Sequence, residues 1–146
     1  MRIYSSFFLL FLVVFCSGQN AFHVLRKELD NKIQNSDYTS ALELINQNRE
    51  HYNPEEKTDL DVSKVKILTE LGLYDEAFKL SQNLINSKLT PEQQIKIHIE
   101  RELIFEINND EKSSKIEIDK AEQLIKNYPD LKPKNYTHFL IRKSSY

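Results

Sequence analysis

Residues 71–80 read LGLYDEAFKL and join the end of one helix to the start of another. Gly72 favours a helix end, because glycine takes left-handed backbone angles without strain. Tyr74, Ala77 and Leu80 then recur at three-residue steps, which predicts the buried stripe of a second helix. The small side chain of Ala77 lets the two helices approach closely. The segment therefore predicts a pair of helices joined by a tight turn.

The same spacing recurs on both sides of this segment. The triplets that match Tyr74, Ala77 and Leu80 are Tyr38, Ala41 and Leu44 upstream and Ile118, Ala121 and Leu124 downstream. The alanines lie 36 and then 44 residues apart, and each is followed within 14 residues by a proline suited to the first turn of a helix, at Pro54, Pro91 and Pro133. A helix pair repeated at such a period is typical of a solenoid.

Helical periodicity covers the chain from Ala21 onward, with pairs expected near 21–51, 54–87 and 91–128 and a further helix over 133–143. Asn53 before Pro54 predicts a capped helix start, and Thr90 with Gln93 predicts a capping box. Residues 95–100 alternate as a strand would, but the cap before them favours a helix. A polar loop is expected over 108–114, with the sixth helix beginning near residue 115. The expected fold is all-α, with six to seven helices.

Residues 1–18 have the features of a secretory signal peptide: Arg2, an apolar run from Phe7 to Cys16, and a small-residue exit. A membrane span needs roughly 20 apolar residues, so this run is too short for one, and no span is expected in the mature chain. Cleavage after Gly18 would leave an exported protein, periplasmic or secreted. A buried first helix is the alternative interpretation of the apolar run.

Cys16 could alternatively be a lipidated lipoprotein cysteine. Lipidation requires a small residue directly before the cysteine, and the bulky Phe15 stands there, so a lipid anchor is disfavoured. Cleavage after Gly18 would remove Cys16, which is the one cysteine of the sequence. The mature chain would then hold neither a disulfide nor a thiolate nucleophile.

Composition and motifs exclude several function classes. With only two glycines, the chain cannot form the glycine-rich loops that hold nucleotide phosphates, and no cofactor is expected. A formal charge of −2 without a concentrated basic stretch argues against nucleic-acid binding. The histidines form no i,i+4 pair and are expected at the surface or at helix caps, so no metal site is predicted; they are His23, His51, His98 and His138. No nucleophile–base constellation can be assembled, which argues against an enzyme.

The segment Leu71-Gly72-x-Tyr74-x-x-Ala77 resembles the tetratricopeptide repeat, a helix pair of about 34 residues. The resemblance covers roughly residues 21–133 and implies antiparallel helix pairs stacked as an α-solenoid. The repeats are degenerate, since Val65 stands where the family has a glycine and the third pair is lengthened near residues 108–114. A generic helical bundle is the alternative fold.

The resemblance implies a non-catalytic module that binds a protein or peptide in a groove formed by the first helix of each pair. The groove residues that it implies are Arg26, Lys27, Asp30, Lys66, Glu70, Lys96 and Glu100. A second hypothesis is the exported sensor region of a truncated bacterial transmembrane regulator. The helix over 133–143 would either cap the stack or precede further repeats. The two hypotheses differ beyond Tyr146, because a sensor region continues into a membrane helix.

Overall fold

The computed structural model describes residues 21–131; the predicted signal peptide, Cys16, His138 and the helix expected over 133–143 lie outside them. Six α-helices and no strand occur in the described residues, so the all-α prediction is confirmed. Residues 21–34 form α1. The other five helices are α2 (Tyr38–Asn48), α3 (Pro54–Glu70), α4 (Tyr74–Ile85), α5 (Pro91–Ile107) and α6 (Glu111–Asn127). Short 3-10 helices come after α2 at Arg49–His51 and after α6 at Pro129–Leu131.

The starts of α3 and α5 are set by capping boxes. The side chain of Asn53 accepts hydrogen bonds from the backbone of Glu55 and Glu56, and Glu56 accepts one from the Asn53 backbone. Thr90 and Gln93 make the same reciprocal pair at α5, so the predicted capping box is confirmed. The cap commits residues 95–100 to helix despite their alternating pattern.

One turn geometry joins the helices of all three pairs. Ser36, Gly72 and Asn109 each have a positive φ, of 58°, 75° and 58°. The residue after each of them donates its backbone N–H to a carbonyl five residues earlier, at 2.9 Å in all three turns. This is the Schellman arrangement, which satisfies the last carbonyls of the first helix. The turns are 36 and 37 residues apart, so residues 21–131 contain three αα-hairpins with regularly spaced turns.

The third hairpin differs from its prediction. The polar loop expected over Asn108–Ser114 is wrong, because α6 already begins at Glu111. The side chain of Asp110 accepts a hydrogen bond from the Ser113 backbone and caps the helix there. The residues predicted as a loop therefore form the first turn of α6, which is longer than α4, with 17 residues against 12.

Aligning the three hairpins by their turns changes which residues occupy equivalent positions. Ala41 and Ala77 each lie three residues after the first residue of their helix, and in α6 that position is Ser114. All three side chains are completely buried. Ala121, which the sequence spacing aligns with the other two alanines, is also completely buried but lies two helical turns further along α6.

Three hydrophobic clusters form the core, and α3 and α5 each belong to two of them. The first joins α1, α2 and α3 through Leu25, Leu29, Ala41, Ile45, Leu60 and Ile67. The second joins α3, α4 and α5 around Val65, Ala77, Leu84 and Ile97. The third joins α5 to α6 through Ile95, Ile118, Ala121 and Ile125. Consequently α3 and α5 carry the connections between hairpins.

The contacts between helices agree with the three hydrophobic clusters. The helix α3 packs against α2, α4 and α5, and α5 packs against α3, α4 and α6. Arg26 of α1 reaches α3, where it donates hydrogen bonds to Asp59 at 3.0 Å and to Ser63 at 2.7 Å. The first helices of the three hairpins are thus neighbours. In residues 21–131 no helix is long and apolar enough to cross a membrane.

Candidate functional site

An open groove of about 350 Å³ crosses the N-terminal ends of α1, α3 and α5. The capping residues Thr90 and Gln93 form part of its rim. The side chains that define the groove are Phe22 from α1, Glu55, Glu56 and Asp59 from α3, and Glu92 and Lys96 from α5. All three hairpins therefore contribute to one surface through their first helices.

The groove is acidic, with four carboxylates and one ammonium group among its defining side chains. Lys96 pairs with Glu92 at 2.7 Å, and Asp59 is held by Arg26 at 3.0 Å. Glu55 is exposed in the first turn of α3. Phe22 packs edge-to-face against Tyr52, with the ring centroids 5.1 Å apart, and supplies an apolar wall. The groove therefore offers negative charge beside an aromatic surface.

Two of the seven groove residues implied by the family resemblance lie in this groove or at its edge. Lys96 lines it, and Arg26 contacts Asp59 at its edge. Asp30 pairs with Arg26 at 3.3 Å, one turn further along α1. Lys27 is exposed on α1, and Glu100 is half-buried one turn beyond Lys96 on α5.

Lys66 and Glu70 lie at the other end of α3. Lys66 is half-buried, Glu70 is exposed, and neither lines the groove. Lys66 is ten residues after Glu56, which corresponds to roughly 15 Å along a helix. The structure therefore separates this pair from the acidic groove. Sequence reasoning missed Phe22, Glu55, Asp59 and Glu92 as groove residues, although the first-turn acids beside two capped helix starts were visible.

A buried polar cluster in the third hairpin was also missed. The expectation that all histidines lie at the surface or at caps is wrong for His98, which is 7% exposed. Its Nδ1 lies 2.6 Å from Oε2 of Glu117, so α5 is joined to α6. Arg101 adds its Nε at 3.4 Å from the same oxygen, and Lys120 approaches Oε1 at 3.2 Å.

Glu117 is held in its charged form by these neighbours. Burial alone would raise the pKa of this carboxyl group, because a charge is poorly solvated in the protein interior. The hydrogen bond to His98 and the charge of Arg101 outweigh burial and lower the pKa of Glu117 to about 2. The cluster is thus a buried ion network, with Glu117 as its shared acceptor.

Arg101 extends the cluster to the second hairpin. Its guanidinium carbon lies 4.9 Å from the centre of the Phe78 ring and 5.5 Å from that of Phe105, distances typical of cation–π contacts. Its Nη1 also donates to the hydroxyl of Ser81 at 3.3 Å. Because Phe78 and Ser81 belong to α4, Arg101 links the last two hairpins.

Alignment by the turns shows why the buried carboxylates of the cluster occur only in the third of the described hairpins. Glu117 occupies the position of Leu44 and Leu80 in the preceding hairpins. Glu102, which is completely buried, occupies the position of Leu29 and Val65. Alignment of the sequence by its turns would have revealed charged residues at two apolar positions.

A second ion pair joins the first two hairpins. Arg49 donates from Nε and Nη2 to the two carboxylate oxygens of Asp61, at 2.6 and 2.7 Å. The hydrogen bonds that Arg49 donates to Asp61 raise the pKa of Arg49 above its ordinary value despite some burial. Asp61 is only 9% exposed, so this bidentate pair fixes the end of α2 against α3.

The carboxylates of both ion pairs are buried and lie outside the acidic groove, and each attaches one helical segment to another. Among residues 21–131, no group of three histidine, cysteine, aspartate or glutamate side chains is placed to hold a metal ion. Comparisons of the chain with protein-family models, curated proteins and solved structures find no match.

Proposed function

We propose that the chain is an exported, non-catalytic interaction module of tetratricopeptide type, in which three hairpins stack as an α-solenoid. The first helix of each hairpin faces the partner, and the acidic groove receives a segment of that partner protein. The recurrence of one turn at 36 and 37 residues supports the repeat. The packing of α3 against α5 supports the stacked order.

The groove is the observation that carries the proposal. It draws side chains from all three hairpins, and from one helix to the next these side chains lie more than 30 residues apart in the chain. A surface built in this way presents fixed side chains to an extended ligand, because the helices beneath it are held by the core. The carboxylates and Phe22 select a partner segment that carries basic and apolar side chains.

Affinity capture from a cell-envelope fraction tests the proposal. The double variant Glu55→Gln/Glu92→Gln removes two groove charges, and we expect it to lose at least one protein that the unaltered chain retains. Both glutamates lie in first helical turns and line an open surface, so the melting temperature should change little. Quantitative mass spectrometry of the retained proteins and a thermal melt give the two readouts.

Two further variants locate the binding surface. Glu43→Gln/Glu76→Gln makes the same change in net charge at exposed positions on α2 and α4, and it should retain the captured protein. Lys66→Gln/Glu70→Gln tests the far end of α3. Equal capture by the groove variant and by the Glu43→Gln/Glu76→Gln control would contradict binding in the groove.

A further inference from the structure

We propose that the groove has an internal occupant: residues 132–146 of the same chain, which bind there until a partner displaces them. The inference rests on the proposed function, because the same groove receives the partner. It adds a regulatory contact to that function. It also implies that the partner resembles residues 132–146 in chemistry, because the partner replaces them in the groove.

The distribution of charge along the chain is the first argument. All 22 acidic residues lie within residues 21–131, together with 15 of the 20 basic residues, which gives this part a formal charge of −7. Residues 132–146 contain no acidic residue and four basic ones: Lys132, Lys134, Arg142 and Lys143. The segment and the groove are therefore opposite in charge, so their association is electrostatically favourable.

The point of attachment is the second argument. Leu131, the last described residue, packs against the cluster that contains Ile95 of α5. Ile95 lies directly before Lys96 and three residues after Glu92, so the cluster that Leu131 joins adjoins the part of α5 that lines the groove. Neighbouring helix axes lie about 8–10 Å apart. Fifteen residues span up to roughly 50 Å when extended and about 22 Å as a helix, and either length is enough to cross the two helix spacings from α5 to α1.

The third argument is the match of side-chain types. Phe139, Leu140 and Ile141 come after the first two lysines and provide apolar groups. The groove offers Phe22 as an apolar wall and the carboxylates of Glu55 and Glu92. Because the segment is covalently attached, its effective concentration at the groove is on the order of millimolar, and weak individual contacts suffice. An external partner must then compete with it, which favours partners of the same basic and apolar character.

Zero-length carbodiimide cross-linking of the chain from Gln19 to Tyr146 tests the proposal. This reagent joins a lysine directly to a carboxylate in contact with it. We expect bonds from Lys132 or Lys134 to Glu55, Glu56 or Glu92 in monomeric product, identified by peptide mass spectrometry. The bond between Lys57 and Glu50, whose charged atoms lie 2.8 Å apart, serves as the internal reference.

Variants establish whether the contact is specific. In Glu55→Gln/Glu92→Gln, the remaining yield from the segment to Glu56 and Asp59, relative to the reference, should fall about fivefold, as expected for losing two exposed ion pairs. The matched pair Glu43→Gln/Glu76→Gln should leave the yield unchanged. Raising the salt to 1 M should lower it as well, because the Debye length falls to about 3 Å.

Three outcomes would overturn the proposal. Bonds from Lys132 and Lys134 found only in dimers would show that the segment binds a second copy. Bonds spread evenly over exposed carboxylates, or an equal loss in both variant pairs, would show a general charge effect. The absence of groove bonds would show an unoccupied groove. Groove bonds without partner capture would instead leave this contact intact and contradict the proposed function.

Discussion

At residue 117 a carboxylate occupies a position that is leucine in the two preceding hairpins. Replacing Glu117 with glutamine leaves Arg101 buried without its full counter-charge. Loss of one partner of a buried ion pair costs about 3 kcal/mol, and we expect the free energy of unfolding to fall by that amount. Urea denaturation followed by circular dichroism measures it. Asp119→Asn, an exposed change on the same helix, should stay within about 0.5 kcal/mol of the unaltered chain.

The pH dependence of this difference is set by the lowered pKa of Glu117. Its folded pKa of about 2 lies below the ordinary value of 4.5, so its stabilising contribution is complete above pH 4.5 and is lost as the pH falls towards 2. The gap between the unaltered chain and Glu117→Gln should therefore close across that interval. A gap that stays constant from pH 7 to pH 2.5 would contradict the buried charge network.

Single residues also show the reach of sequence reasoning. The capping residues Asn53 and Thr90 were predictable, because a cap acts on its own helix within three residues. The burial of His98 was not, because its partner lies 19 residues away on another helix. A lone histidine between two isoleucines gives no local sign of such a partner.

At the scale of the helix pair, the stability of the turn between the two helices can be tested. Gly72 has φ of 75°, and a Cβ added there would meet no atom within 4 Å, so any cost of substitution comes from the backbone. Gly72→Ala should lower the free energy of unfolding by about 1 kcal/mol, and Gly72→Asn by less, because asparagine tolerates left-handed angles better. Chemical denaturation of both variants checks the order. A greater loss for asparagine than for alanine would contradict the turn geometry.

All six elements could be predicted as helices, but the residue at which α6 begins could not. Pro54 and Pro91 mark the starts of α3 and α5 because proline suits a first helical turn. The start of α6 lacked such a marker, and its first residues are polar because that turn is mostly exposed. Polarity therefore predicted a loop where Asp110 in fact caps a helix.

At the scale of the whole molecule, arginines sit at both junctions between hairpins, Arg26 and Arg49 at the first and Arg101 at the second. Arg49 joins α2 to α3 through Asp61, and Arg101 joins α5 to α4 through Ser81 and Phe78. Arg49→Met should lower hydrogen-exchange protection mainly in residues 21–51, and Arg101→Met mainly in residues 91–127, because local opening occurs at the weakened junction. Exchange measured by mass spectrometry compares the two variants. An identical loss across both regions would indicate that the hairpins unfold only as one unit.

The groove marks where prediction from the sequence ends at this scale. Periodicity indicated which helices come first in each pair, and Lys96, which the family resemblance implied as a groove residue, does line this surface. The shape of the groove and the grouping of its carboxylates depend on how α1, α3 and α5 lie side by side, and no local pattern encodes that arrangement.

The recurring turn has a consequence for how such a chain can be lengthened or recombined. Serine, glycine and asparagine all support the same left-handed bend, so the bend survives when its residue changes. A gene fragment encoding 36 or 37 residues, cut at equivalent bends, carries a complete up-and-down unit with compatible ends. Duplication or exchange of such fragments would preserve the reading frame and the backbone path, while side chains on the exposed surfaces diverge.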